Sequence, residues 1–470
     1  MEKKECNDTN DLIQEKSTNP QGQLAPGYLG KQGSDLESTM IMFGRFLADR
    51  ISEDPLPEKS LFTAEGTFEW GEGVTLEKVI NSSEDWKLLL QNPNLFRRSL
   101  FIIEPWEDVG INDLQEGVRA SKNVAFIAQK IAECDSILLP VWQTGTLELN
   151  SVIPILSASM AVIVEGGRPS IYNPSEWTNR NCSRDDIFAL VEKLVLSRSP
   201  QTAPVIMICL GHQLAAESHT RLLQRAVSDV LNTELLPNDK DKEALISLKA
   251  VCEKIQSMGE NLKIEKRDGR IVANGWNDVN FSVILNEEKE IGDCYLLPYK
   301  TPNARSSIIP IELLDAHKVM ADEYEGVIDK MILEHGRDIT ISMFHYDEVN
   351  EEAILFANWA YIELHNVIVP YRHIIAGSHL SWLLQLPYAV EILASTEANG
   401  EILTECACSC IYYKDFETKK IRRSFTCQFH PELLSDLREF GKRSEPSYLE
   451  LKQSDGIRLL VRLLYEGMQG

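Results

Sequence analysis

The stretch Pro204-Val205-Ile206-Met207-Ile208-Cys209-Leu210-Gly211-His212-Gln213-Leu214-Ala215-Ala216 constrains this chain more than any other. Four β-favouring residues run directly into a cysteine, a glycine follows two places on, and helix-compatible residues come next. A strand that turns at once into a helix lifts the side chain at the turn clear of the sheet. The N–H after that side chain then faces the same space. Unpaired N–H groups at the helix start favour a thiolate there. The stretch therefore predicts strand, sharp turn and helix, with sulfur at the apex. Taken alone, Cys209 also suits a small buried apolar position.

Its surroundings repeat the pattern. Ser99–Glu104, Ser136–Pro140 and Ala161–Val164 read as short apolar strands, with helices expected over Asp113–Ala132 and Asp185–Leu196. Apolar strands alternating with helices argue for a parallel sheet covered on both faces. In such sheets reactive groups gather at the carboxyl ends of the strands, where both Gly166-Gly167 and Cys209 fall. A Gly-Gly turn lets backbone N–H groups approach a ligand closely, and it is equally an ordinary strand-to-helix turn.

The 71 acidic and 47 basic residues give a formal charge of −24, which repels phosphate backbones and anionic lipid. Nucleic acid and membrane are not expected partners. The most apolar stretch, Val152–Val164, is broken by Pro154, Ser157 and Ser159, and the first residues carry charge without an apolar run behind them. Ten cysteines scattered through 470 residues suit a reducing compartment, so a cytoplasmic location is expected. Cys406, Cys408 and Cys410 are expected on one strand face as core filling. They match no metal-ligand spacing, and no metal is expected. Gly27–Gly33 lacks a leading strand and a closing Lys-Ser or Lys-Thr. No Walker loop or Gly-x-Gly-x-x-Gly after a strand occurs elsewhere, so no cofactor is expected.

Far downstream, Gln428-Phe429-His430-Pro431-Glu432 supplies an imidazole and, two residues on, a carboxylate. In an extended segment those two side chains point to the same side. Cys209 followed by Gly211-His212-Gln213, together with this His-x-Glu stretch, resembles the class I glutamine amidotransferases, the triad-type glutaminases. The resemblance covers about 99–230 and 370–468. It implies an α/β fold with a mostly parallel, doubly wound sheet and a nucleophile elbow, and the separation of Cys209 from His430, far longer than that family shows, points to a large α/β insertion. The expected organisation is a disordered tail over 1–35, an extension over 36–97 beginning with a helix from Leu36 to Ile51, and core over 98–234. An insertion over 235–370 and the rest of the core over 371–470 complete it. Within the insertion, helices are expected over Lys240–Met258, Val319–His335 and Glu348–His365.

The resemblance implies a catalytic triad of Cys209, His430 and Glu432. The oxyanion hole would be formed by Leu210 with Gly166 and Gly167, and substrate contacts would come from Gln213 and Ser381. Glutamine, a small-molecule substrate, would lose ammonia through a thioester on Cys209, for use by a synthetase partner protein. Two departures stand out: Met207 occupies the first glycine position of the family's Gly-x-Cys-x-Gly, and Arg168 stands where proline is common. A hydrolase of other γ-glutamyl amides or peptides, and a catalytically inactive binding or regulatory module on the same fold, remain alternatives.

Overall fold

The structure, a computed structural model, describes residues 78–79, 99–106, 124, 135–141, 149–167, 169–171, 174–177, 183–196, 203–234, 239–261, 282–284, 293–298, 312–313, 339–343, 345, 347–398, 401–432 and 455–468. The expected tail, the Leu36–Ile51 helix, most of the extension and of the Asp113–Ala132 helix, Arg168, and the Val319–His335 helix lie outside the described residues.

The strands are β1 (Lys78–Val79), β2 (Ser99–Glu104), β3 (Asp135–Pro140), β4 (Ala161–Val164), β5 (Val205–Ile208), β6 (Ser282–Ile284), β7 (Asp293–Pro298), β8 (Ile339–Ser342), β9 (Asp347–Val349), β10 (Ala389–Ala398), β11 (Glu401–Lys414) and β12 (Ile421–Cys427). The helices are α1 (Leu149–Ala158), α2 (Arg184–Val195), α3 (Leu210–Asn232), α4 (Asp239–Asn261), α5 (Glu351–Ile368), α6 (Arg372–Ala376) and α7 (Asp455–Met468). Ten strands form one sheet in the order β1-β3-β2-β4-β5-β12-β11-β10-β7-β8, and β6 pairs with β9 apart from it. From β1 to β12 every pairing is parallel. From β12 to β8 every pairing is antiparallel. The architecture is thus a mixed α/β sheet.

Both faces of the parallel half are buried, as its continuous apolar runs require. Phe101, Ile103, Val162, Val164, Val205 and Met207 belong to one core cluster, which also holds the buried sides of α2, α3, α4 and α5. Their neighbours Leu100, Ile102, Ala161, Ile163, Ile206 and Ile208 point to the opposite cluster, filled by Ile457, Leu460 and Leu464 of α7. Local caps fix where helices start. Ser183 and Asp186 close a reciprocal capping box on α2. The Asn350 side chain accepts from the Glu352 and Ala353 N–H groups at the start of α5.

The described parts of residues 235–370, expected as an insertion, contribute to this sheet and core. They add β7 and β8 to the sheet, and α4 and α5 pack into the same cluster as α3. α4 also runs on through Gly259, the expected stop, to Asn261. The three strand cysteines are buried as expected, but not on one face. Cys406 falls in the α3 cluster and Cys408 and Cys410 in the α7 cluster. The β10–β11 register shifts between Ala394 and Thr396, and such an irregularity turns a strand over. Among the described residues, no group of His, Cys, Asp and Glu is placed to hold a metal, and no helix is long and apolar enough to cross a membrane.

Buried histidines tie helices to the sheet and to their neighbours. His212 Nε2 donates to the Cys406 carbonyl at 2.7 Å, with the Thr426 hydroxyl 2.6 Å from Nδ1. His219 Nδ1 lies 2.9 Å from the Tyr361 hydroxyl, joining α3 to α5. His365 Nε2 donates to the Pro387 carbonyl at 2.9 Å. Burial pushes His219 down to about 3, helped by nearby His212, and His365 down to about 4. In the unfolded chain these rings titrate near about 6.5. Below that pH the unfolded state binds more protons, so stability falls as pH drops toward the folded values. Each ring contributes a slope of at most about 1.4 kcal/mol per pH unit. Urea-unfolding midpoints measured from about pH 6.5, where the imidazoles of the unfolded chain begin to charge, down to about pH 5 should therefore fall. His365→Asn should fall less steeply over the same range.

Candidate active site

Three neighbouring parallel strands end at one level. Val164 of β4 pairs with Met207 of β5, and Ile208 of β5 pairs with Cys427 of β12. Each chain then breaks from the sheet at that level, as Gly166-Gly167, Cys209 and Gln428–Glu432 respectively. Sheet register, rather than loop conformation, brings these distant segments together.

Cys209 takes φ 49° and ψ −105°, a left-handed conformation that costs a non-glycine residue about 1–3 kcal/mol. It is held by its N–H donating to the Cys427 carbonyl at 2.7 Å, and by its own carbonyl accepting from Gln213 N–H at 3.1 Å. α3 starts immediately, with no side-chain cap, so the Leu210 N–H opens the helix without an intrahelical acceptor. The tightness of the turn falls on Gly211, where a Cβ would lie 2.7 Å from the Val164 carbonyl oxygen and 3.3 Å from the Met207 Cβ. Met207, fully buried, turns its side chain into the core beneath α3, so the turn forms without glycine at that position.

His430 Nδ1 donates to Glu432 Oε1 at 2.7 Å, and a side-chain hydrogen bond links the ring to Cys209. The segment is not extended as expected. It bends at Gln428 and Phe429 and turns at Pro431 and Glu432, and the turn brings the carboxylate to the ring. All three groups are sheltered: Cys209 is 4 % exposed, His430 6 % and Glu432 0 %. Burial alone would push the imidazole down. The Glu432 carboxylate and the Cys209 sulfur override it and hold His430 well above its ordinary value. Gly166 closes the group, since a Cβ there would stand 2.9 Å from His430 Cε1 and 3.1 Å from Cys209 Cβ. Gly167 is pressed in the same way between Leu210 and Trp106.

The segment beyond Gly167 is pinned by Trp177 Nε1 donating to the Ser170 carbonyl, Ser170 N–H donating to Glu176, and Arg184 donating to the Ile171 carbonyl. β9 lies beside it. Burial pushes the Asp347 carboxyl up, partly offset by the Ser170 side chain and Ile171 backbone.

Gln213 is buried beside the cysteine. Its Nε2 donates to the Asp347 carbonyl at 2.7 Å and to Gln428 Oε1 at 3.4 Å. Both amide hydrogens are thereby engaged, leaving Oε1 as the atom for any further contact. Gln428 Nε2 in turn points at Cys209 Sγ from 3.7 Å. Neither Gln428 nor Asp347 was assigned a role from sequence. Gln428 stands two places before His430, where its contact with sulfur could have been sought. Asp347 has no local signal. Ser381 is not part of this group: it is exposed, and its neighbours Trp382 and His379 bond Asp229 and Thr233 at the far end of α3. At about 1.5 Å per residue, that end lies roughly 30 Å from Cys209.

The arrangement places a thiol, an imidazole bonded to a carboxylate and a helix-opening N–H together, groups that could serve as nucleophile, proton carrier and donor to developing negative charge. No family model and no curated protein matches the sequence.

Burial pushes the thiols of Cys408, Cys410 and Cys427 far above their ordinary value and Cys252 to about 12, and Cys209 has the His430 ring beside its sulfur. Brief treatment with iodoacetamide at neutral pH, read by peptide mass spectrometry, should label Cys209 before those four. His430→Ala should slow that labelling by about tenfold or more.

Proposed function

We propose that this chain is a cysteine hydrolase of the class I glutamine amidotransferase type, on the corresponding α/β fold with a nucleophile elbow. It would release ammonia from glutamine. The observation that carries the reading is the line Cys209–His430–Glu432, assembled at the ends of β5 and β12 around a cysteine with positive φ.

In this reading the Cys209 sulfur attacks the side-chain carboxamide carbon, and its proton passes to His430 Nε2. The tetrahedral oxyanion sits at the Leu210 N–H, with a second donor from the Gly166-Gly167 turn. Collapse breaks the C–N bond, His430 returns the proton to the departing nitrogen, and ammonia leaves a thioester on Cys209. His430 then deprotonates a water that attacks the thioester carbon, releasing glutamate and restoring the thiol. Glu432 fixes the tautomer with Nδ1–H toward itself and Nε2 toward sulfur, and it stabilises the imidazolium. Gln428 donates toward the sulfur and would favour the thiolate. Gln213, itself anchored on the Asp347 carbonyl, donates to the Gln428 side-chain oxygen. The ammonia acceptor belongs to a synthetase partner in this proposal.

The purified chain should release ammonia from glutamine in a glutamate dehydrogenase-coupled assay. Cys209→Ala should abolish release, and Glu432→Gln should lower kcat by about a hundredfold or more. Ammonia release by Cys209→Ala equal to that of the native chain would end the assignment. Faster cleavage of γ-glutamyl peptides than of glutamine would keep the chemistry and move the substrate to γ-glutamyl conjugates.

A further inference from the structure

The end of the sheet remote from Cys209 carries a concavity. Lys414 at the end of β11 pairs with Ile421 at the start of β12, and the turn between them, Asp415–Lys420, packs beside the C-terminal end of α5. A cleft of about 470 Å³ opens there, bounded also by α6. Its size falls within the range of about 300–1,000 Å³ usual for small-molecule sites.

Its charge is opposite to that of the chain. Arg372, Lys414, Lys420 and Arg422 line it, against the two carboxylates of Asp415 and Glu417. Asp415 is occupied by its own turn, accepting from the Glu417 and Thr418 N–H groups at 2.8 and 3.2 Å. Glu417 meets Arg372 only at 3.9 Å and is 80 % exposed, where water screens the pair. On a surface carrying −24 overall, cations gathered in a hollow focus attraction for anions at that point.

The cleft also has an aromatic wall. The Phe416 ring lies 5.6 Å from His365 and 5.9 Å from Tyr388, centroid to centroid, and Lys414 Nζ stands 4.6 Å from the Tyr388 centroid. His365 adds a directional group. Its Nε2 donates to main-chain carbonyls, so Nδ1 is an acceptor, and that atom is buried with no hydrogen-bond partner. With the ring pushed down to about 4 by burial, Nδ1 does not protonate near neutral pH and is left seeking a donor.

We propose that this cleft binds a nucleotide, with its planar, hydrogen-bond-donating base against Phe416 and His365 Nδ1 and its phosphate among Arg372, Lys414, Lys420 and Arg422. No glycine-rich phosphate loop is involved. The phosphate is held by side chains and the base by aromatic stacking. The proposal is independent of the chemistry at Cys209.

Isothermal titration of the full chain with AMP and GMP tests it, with adenosine, guanosine and inorganic phosphate as comparisons. Saturable binding of at least one nucleotide is expected, about tenfold tighter or more than its nucleoside or phosphate, and weakening as salt rises. The double variant Arg372→Glu/Lys420→Glu should bind about tenfold more weakly or worse. Lys420→Gln, on an exposed turn, serves as the milder variant if the double variant fails to fold. Phe416→Ala should weaken the nucleotide without affecting phosphate, and Cys209→Ala should bind as the native chain does. No saturation by either nucleotide below about 1 mM would overturn the proposal. So would phosphate binding as tightly as the nucleotides, or full affinity retained by a folded charge-reversed protein.

Discussion

The parallel pairing of β12 against β5 is the constraint on which the rest of the molecule depends. Gln428 and Cys209 lie 219 positions apart in sequence. Bringing two such segments together through a flexible loop would leave their relative position loose. Here three ladder pairs, Phe425 with Ile206, Thr426 with Met207 and Cys427 with Ile208, set the spacing. A last bond from Cys209 N–H to the Cys427 carbonyl then places the turn. Position is fixed before any side chain of the site is considered. The local strain at Cys209 persists because bonds on both sides of the residue over-determine it.

This division explains what could be read in the letters. β2 and β4 stand where their apolar runs put them, and β3 begins one residue earlier than expected, because strands buried on both faces carry an unmistakable composition. The turn into α3 was legible because strand, cysteine and glycine occur within a few positions. The contribution of 235–370 was not, since β7 and β8 join the sheet through antiparallel partners remote in sequence and no periodicity reports a partner. α4 and α5 were visible as helices, yet nothing in their amphipathic spacing says that they share a core with α3. The separation of Cys406 from Cys408 and Cys410 follows from a register shift that alternation cannot foresee. His430 and Glu432 were rightly paired for the wrong local reason: a turn, rather than an extended segment, brings them together.

Met207 shows that the turn at Cys209 tolerates a large side chain two residues before it. The close approach of strand and helix concerns Val164, Met207 and Gly211 together. Space has to be saved at the point where backbone meets backbone, which is the Gly211–Val164 contact. The position of Met207 faces a core that accepts a flexible side chain. His212 contributes from the next turn by tying α3 to both β11 and β12, so the helix that starts at Cys209 cannot tilt without breaking buried bonds.

One seven-residue strand, β12, begins at Ile421, next to Arg422 of the cationic cleft, and finishes beside Cys209 at Cys427. At about 3.3 Å per residue it spans roughly 20 Å. β11 pairs with it along its whole length, and β5 along its last three residues. A slip by one residue would invert every side chain it carries. Such a rod can neither stretch nor shift by steps.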